Sequence, residues 1–458
     1  MIHFRKHLAF VTLLLGVTCI TGCKDYWFGE GNSTRTRVVT PEGPQGGLVR
    51  FDYILEGEDE STTVDVGYST NSTTFRTATQ AGGDNISDVP VSSDETRHTF
   101  IWDSGADLGS ARNSDVTLRV SAQDGDSDRS DAFTVRNAQF LVGVAPETVG
   151  ALDVFWLNTI DGSVEQLNRV ATSGGVPTDV IFHEDFFFVA HETSNLVGVF
   201  ALNDESRVVA PLTQSQAFGA GGEGVKTLAA EEEFIFALNR DTEVLNIYQL
   251  APSGSISLHT GSGLSATGWQ DITADSGRLF AAQTDDSVRI FDVGGPAAIV
   301  ENESSPFELT SLAEPRSLVV ASGRLYVASG VTTRISGFAI SEDGALSALP
   351  GSPYAISTAD IAELSVDGDQ LFGVTADGAT LLAFDVANDG QLSEQVNSPF
   401  ALEDGATDVV GSGSTVVTTQ PQGERFDFRS RDADGTVAGS TPSPFDTAAE
   451  IEHIAVSR

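Results

Sequence analysis

The chain has 458 residues, 40% of them hydrophobic, which is long enough for two or three domains and too apolar for disorder by default. Its 65 acidic residues against 25 basic ones give a net charge of −40, and Lys6, Lys24 and Lys226 are its three lysines. Such a surface repels nucleic acid and anionic lipid, so no nucleic-acid partner is expected, and it suits a salty or cation-rich medium. Both cysteines, Cys19 and Cys23, fall in the first 23 residues, which leaves the body no disulfide framework or cysteine metal site.

Residues 1–22 have the plan of a secretory signal peptide, with Arg5 and Lys6 ahead of a largely apolar run from Leu8 to Ile20. The stretch Ile20-Thr21-Gly22-Cys23 resembles a bacterial lipoprotein box. That resemblance implies cleavage before Cys23 and lipidation on it. Two or three acyl chains, at about 0.8 kcal/mol per buried methylene, then anchor the protein without a transmembrane helix. Lys24 stands where an aspartate commonly retains lipoproteins at the inner membrane. The expected address is therefore the bacterial cell envelope, on the outer membrane, facing periplasm or exterior.

Residues 23–46 are expected to be the lipidated cysteine and a flexible tether, rich in Gly, Ser, Thr and Asn and ending at Pro41-Glu42-Gly43-Pro44. Residues 47–137 read as short alternating strands, clearest at Leu48–Leu55, Thr62–Tyr68, His98–Trp102, Val116–Ala122 and Ala132–Val135. This pattern predicts a β-sandwich of immunoglobulin or fibronectin-III type. The segments Thr99–Ser104, Asp107–Gly109 and Asp115–Ala122 resemble a repeat of extracellular bacterial proteins. Asp124-Gly-Asp-Ser-Asp-Arg-Ser-Asp131 has oxygen ligands at alternate positions, as a calcium loop does, but lacks the closing glutamate and the sixth-position glycine. It also sits between two predicted strands, and an acidic hairpin turn is the favoured explanation.

From residue 138 to 458 a period of about 45 residues governs the chain. The prolines of Ser305-Pro306-Phe307, Ser352-Pro353-Tyr354, Ser398-Pro399-Phe400 and Ser443-Pro444-Phe445 are 47, 46 and 45 residues apart. A period in the forties built of strands and turns predicts a β-propeller. An aromatic-bearing strand recurs seven times (at Trp156, Phe200, Tyr248, Phe291, Phe338, Phe384 and Phe428), each preceded by a second apolar strand. Because the series starts on a second strand at Phe140 and ends on an inner strand at His453, the two ends must pair to complete one blade. The fold expected is all-β, a seven-bladed propeller preceded by a sandwich, and monomeric.

The inner strands are expected to begin at Asp179, Lys226, Asp271, Arg316, Glu363, Asp408 and His453, seven ionisable residues in seven blades. Either they pair with one another as a ring that plugs a wet channel, or they form a mixed-charge binding pocket at the channel mouth. The mouth also receives His191, Glu192, Arg240, Asp285, Asp286 and Asp377, whereas His183 belongs to the opposite face. The spacing of the acids around the ring argues against one shared metal ion, and no cofactor is expected.

Val189-Ala-His-Glu-Thr-Ser-Asn-Leu-Val-Gly-Val-Phe200, Gly344–Pro353 and Pro315-Arg-Ser-Leu-Val resemble the seven-bladed lactonase family, which includes 6-phosphogluconolactonase-like proteins. The resemblance implies lactone opening in the central pocket. Glu192 or Glu363 would activate water as general base, and Arg316 or Lys226 would stabilise the oxyanion. Ser317 stands after Pro315-Arg316 where the enzymes often carry histidine, and the acidic ring suits a phosphorylated substrate poorly. The favoured expectation is a membrane-anchored binding platform for an unknown protein or small molecule, with the lactonase-like hydrolase as the alternative.

Overall fold

The computed structural model describes residues 34–457, apart from 42–44, 59, 110–111, 124, 146–149, 159–162, 173–174, 204–207, 215–223, 295–297, 311, 358–359, 404, 414, 433–434, 439–442 and 448. The signal segment, Cys19, Cys23 and the first ten residues of the expected tether lie outside the described residues.

Two antiparallel sheets make the first unit. One orders Arg35–Val38, Leu48–Glu56, Thr96–Asp103 and Gln80–Gly83; the other orders Ser127–Arg129, Arg112–Ala122, Val64–Ser69 and Arg76–Thr77, with Phe133–Arg136 also on Arg112–Ala122. Period-2 alternation sends Val49, Phe51, Tyr53 and Leu55 from one sheet into Val64, Val66, Tyr68, Val116, Leu118 and Val120 of the other. Trp102 seals this core, with its indole N–H donated to Asp107 at 2.6 Å.

The sandwich starts earlier than the sequence suggested. Arg35–Val38 pairs antiparallel with Tyr53–Glu56, so this part of the expected tether is a sheet strand. The acidic turn explains how it is held. Thr36 N–H donates to Asp126 (2.6 Å) and Val38 N–H to Asp128 (2.8 Å). The carboxylates of this acidic turn are thus hydrogen-bond acceptors for an edge strand. Among the described residues no three metal-ligating side chains converge.

Seven antiparallel sheets follow, three of four strands and four of five, the fifth being a short strand beside the third, and we number these blades in chain order. Their inner strands are His453–Val456 (blade 1), Pro177–His183 (2), Val225–Glu231 (3), Trp269–Asp275 (4), Pro315–Ala321 (5), Ile361–Asp367 (6) and Val409–Ser412 (7). Each inner strand contacts the next, and the inner strands of blades 7, 1 and 2 complete the circle. The predicted closure is present: Val144 lies opposite His453, Gly143 opposite Ile454 and Leu141 opposite Val456. The last strand of the chain completes the first blade.

The repeat exists because each blade can bury its faces only against its neighbours. Seven apolar clusters lie between blades, one at every interface. The seam between blades 7 and 1 holds Leu141, Phe155, Phe426, Ile451 and Ile454. There Gly143 is required by close approach, because a Cβ on it would sit 2.6 Å from the Ile451 side chain. The second strands have buried blade faces on both sides, so Phe234–Asn239 and Gln370–Thr375 are buried at every residue.

The Ser-Pro tripeptides serve the blades. Ser305, Ser352 and Ser398 accept the N–H of Ile290, Gly337 and Ala383 in the third strand of their own blade (3.0–3.2 Å). The aromatic that follows each proline starts a short strand on that same third strand. The audible beat of the sequence is a structural staple.

Candidate functional site at the propeller channel

Five of the seven inner strands carry a bulge one residue after they begin. Pairing to the second strand jumps from Pro177 to Asp179, Val225 to Thr227, Trp269 to Asp271, Pro315 to Ser317 and Ile361 to Glu363. The residues at the channel position are therefore Asp179, Thr227, Asp271, Ser317, Glu363, Asp408 and His453. Lys226 and Arg316 occupy the skipped position, one residue earlier. Since side chains alternate along a strand, these two cations do not belong to the ring inferred from sequence. The ring is four acids, one imidazole and two hydroxyls.

What the ring does is visible in its hydrogen bonds. Asp179 accepts the N–H of Val180 on its own strand (2.7 Å) and of Leu228 in the next blade (2.7 Å). Asp271 does the same with Ile272 (2.8 Å) and Leu318 (2.9 Å). Asp408 takes Val409 (2.6 Å) and, across the closing seam, Ile454 (2.9 Å). In blade 5 the Ser317 hydroxyl accepts from Leu364 N–H of blade 6 (3.1 Å) and donates to Glu363 (3.3 Å). These side chains pin adjacent inner strands together, a role that needs a short acceptor at one fixed register.

The pins are electrostatically costly. Each carboxylate keeps some surface on the narrow channel, yet protein surrounds it on every side. Burial, partly offset by the Leu228 N–H and reinforced by Asp408, pushes Asp179 up to about 7. Burial likewise raises Asp408 to about 7 and Asp271 to about 6, against their backbone donors. Glu363 lies well above the usual carboxylate range, through burial and then the charges of Asp271, Asp408 and Asp179. Its ionised form is therefore disfavoured. His453 Nδ1 lies 3.8 Å from Asp408, but burial and Arg240 depress the imidazole to about 4. That contact is therefore made by a neutral ring.

Around the mouth the charges are arranged differently. Lys226 is ion-paired with Glu192 of blade 2. Burial draws the Lys226 amine down, opposed by Asp241 and helped by Arg240, while Glu452 favours its charged form. We hold that the Glu192 contact keeps it an ammonium. Glu452 itself is raised by burial and Glu450, against Lys226. Arg316 is exposed in blade 5. Asp285 and Asp377 fold their own loops, accepting from the Ser287 hydroxyl (2.6 Å) and Ala379 N–H (3.0 Å), and Asp286 accepts the Glu314 N–H ahead of blade 5 (2.8 Å). His191 is fully buried, and burial lowers it to about 4. His183 bonds the Glu232 carbonyl at the hairpin end, 2.6 Å away, as its assignment to the opposite face requires.

The three residues that the resemblance assigns to catalysis are thus dispersed. Glu192 is engaged between blades 2 and 3, Arg316 stands at the rim of blade 5, and Glu363 lies inside the channel of blade 6 with its ionised form disfavoured. Sequence reading missed Ser317, Thr227 and Glu452. The serine has a detectable signal, since it lies 46 residues from Asp271 and 46 from Glu363.

No family's sequence profile and no curated protein matches the chain. Solved structures do. A candidate 6-phosphogluconolactonase from Bacteroides fragilis aligns with a TM-score of 0.58 at 15% identity, over 70% of this chain and 98% of that one. One from Bacteroides uniformis gives 0.56 at 15%, over 70% and 100%. A protein from Lactobacillus plantarum gives 0.56 at 16%, over 70% and 99%. At such identities the likeness establishes the fold, a lactonase-like β-propeller.

Proposed function

We propose that this chain is a lipid-anchored envelope protein whose propeller serves as a binding platform, with the ligand or partner meeting the channel mouth. The observation that carries this reading is the use of Asp179, Asp271 and Asp408 as acceptors for the next blade's backbone. Acids committed to holding the ring together are unsuited to moving protons in a reaction cycle. Ser317, standing where the related enzymes often carry histidine, is committed to the same task. The mixed charges left at the mouth, Glu192, Lys226, Arg240, Arg316 and Glu452, suit recognition of a polar surface.

The alternative, lactone hydrolysis, draws support from the description of the Bacteroides relatives. The two are separated by assaying a panel of sugar lactones, phosphorylated and not, with the wild type and the Glu192→Gln and Arg316→Ala variants. The platform reading expects no saturable turnover. Turnover abolished by both substitutions overturns it. For the anchor, acylation of Cys23 measured by mass spectrometry, and its loss in Cys23→Ser, is the expected result.

A further inference from the structure

The sandwich stands against one end of the propeller, and its own two ends are distinguishable by what they touch. Gln45, Leu48 and Arg50 line a cleft of about 630 Å³ with Ser322, Gly368 and Gly413, which lie in the inner-to-second-strand hairpins of blades 5, 6 and 7. Arg50 Nη1 pairs with Asp369 of the blade 6 hairpin at 2.8 Å, and Arg136 Nη2 lies 3.9 Å from Asp185 in the blade 2 hairpin. Those hairpins are on the face opposite the mouth. The described contacts of the sandwich with the propeller therefore fall around the hairpin end of the channel.

The N-terminal segment leaves from the other pole. Arg35 lies opposite Glu56, Thr36 opposite Leu55, and Thr34 bridges to Gly125 in the acidic turn. Leu48–Glu56 lines the cleft as far as Asp52 and then runs on to that pole, four residues at ~3.3 Å each, or ~13 Å beyond it. Eleven peptide steps join Cys23 to Thr34, and a fully extended chain of that length reaches at most ~40 Å.

We propose that the sandwich is a stalk that fixes the polarity of the propeller. The hairpin face is turned toward the anchoring bilayer, and the mouth, with Glu192, Lys226, Arg240, Arg316 and Glu452, is turned away from it. The mouth then receives a water-borne partner, not a lipid or a protein embedded in the same bilayer. This rests on the reading of Cys23 as the anchor.

Single cysteines test it directly, because the body has no thiol of its own. Glu58→Cys marks the pole where the tether leaves, Glu233→Cys the uncovered blade 3 hairpin, and Val331→Cys the mouth side of blade 5. Each full-length mature variant carries a maleimide donor on phosphatidylethanolamine–phosphatidylglycerol vesicles with an acceptor lipid. Expected energy transfer falls in the order Glu58, Glu233, Val331. Transfer at Val331 equal to or above that at Glu58 overturns the polarity. The same ranking is measured with Cys23 replaced by a histidine tag on chelating vesicles. Failure of the native chain to float with vesicles sinks the anchor alone, and the tagged ranking still decides the polarity.

Discussion

Two regions of this molecule solve one problem with the same side chain. In the sandwich, Asp126 and Asp128 stand in for missing ladder partners of the edge strand Arg35–Val38. In the propeller, Asp179, Asp271 and Asp408 stand in for missing partners between inner strands. The surroundings differ. Asp126 is exposed, whereas the propeller carboxylates confront one another across a narrow channel and are driven to about 6 or 7. An aspartate acceptor at the surface answers to solvent, and one in a closed ring answers to its neighbours' protonation.

The largest test of this contrast is Asp408→Ala. It orphans the N–H groups of Val409 and Ile454 at the seam where the ring closes, at about 1–3 kcal/mol each. Urea unfolding at pH 6 should show the propeller losing ~2–6 kcal/mol. A loss below 1 kcal/mol would show that water replaces the carboxylate.

Next comes pH dependence. Asp179, Asp271 and Asp408 hold protons in the folded state that they release near 3.8 when unfolded. Their contribution is fullest below that pH and is lost as pH rises through 6 to 7. His191 and His453, depressed from 6.5 to about 4, act in the opposite sense, adding stability as pH rises from 4 to 6.5. The two trends offset each other below 6.5, and above it the carboxylate loss is uncompensated. Thermal melts should therefore fall between pH 6.5 and 8, and a rising melt contradicts the raised carboxylates of the ring.

Glu363→Gln sharpens the same point with a smaller effect. Glu363 accepts from Ser317 but pins no backbone N–H of the next blade in the bonds seen here. Replacing it by an amide removes a costly acid and keeps an acceptor. Stability at pH 8 should rise modestly, and the slope between pH 6.5 and 8 should flatten. The smallest effect belongs to the sandwich: Asp126→Ala, which releases the single N–H of Thr36 at the sheet edge, should cost ~0.5–1.5 kcal/mol with little change in pH slope. A loss as large as that of Asp408→Ala would erase the contrast between the regions.

The blades and their closure were legible because burial repeats with the chain. The second strands of blades 1 to 6 are largely apolar, each third strand carries its aromatic, and the ends at Phe140 and His453 are complementary fragments of one blade. The ring was legible only in part. Period counting tolerates an error of one residue, but the bulge makes that residue decisive, and Lys226 and Arg316 were drawn in because they are charged, not because they share a register. The strand at Arg35–Val38 was hidden for another reason. It is four residues long, and half of its hydrogen-bond support comes from aspartates 90 residues away.

The closing strand has a consequence for the order in which this molecule is made. Blade 1 begins at Ala138 but lacks its inner strand until His453–Val456 has emerged, and Asp408 cannot pin Ile454 before then. The sandwich is complete by Arg136 and has its own core, so it can fold while the rest is still being delivered. The propeller cannot: its first and seventh blades each show a bare face to solvent until the final six residues arrive. On the proposed reading of an exported lipoprotein, the ring would lock only after its last strand has crossed the membrane.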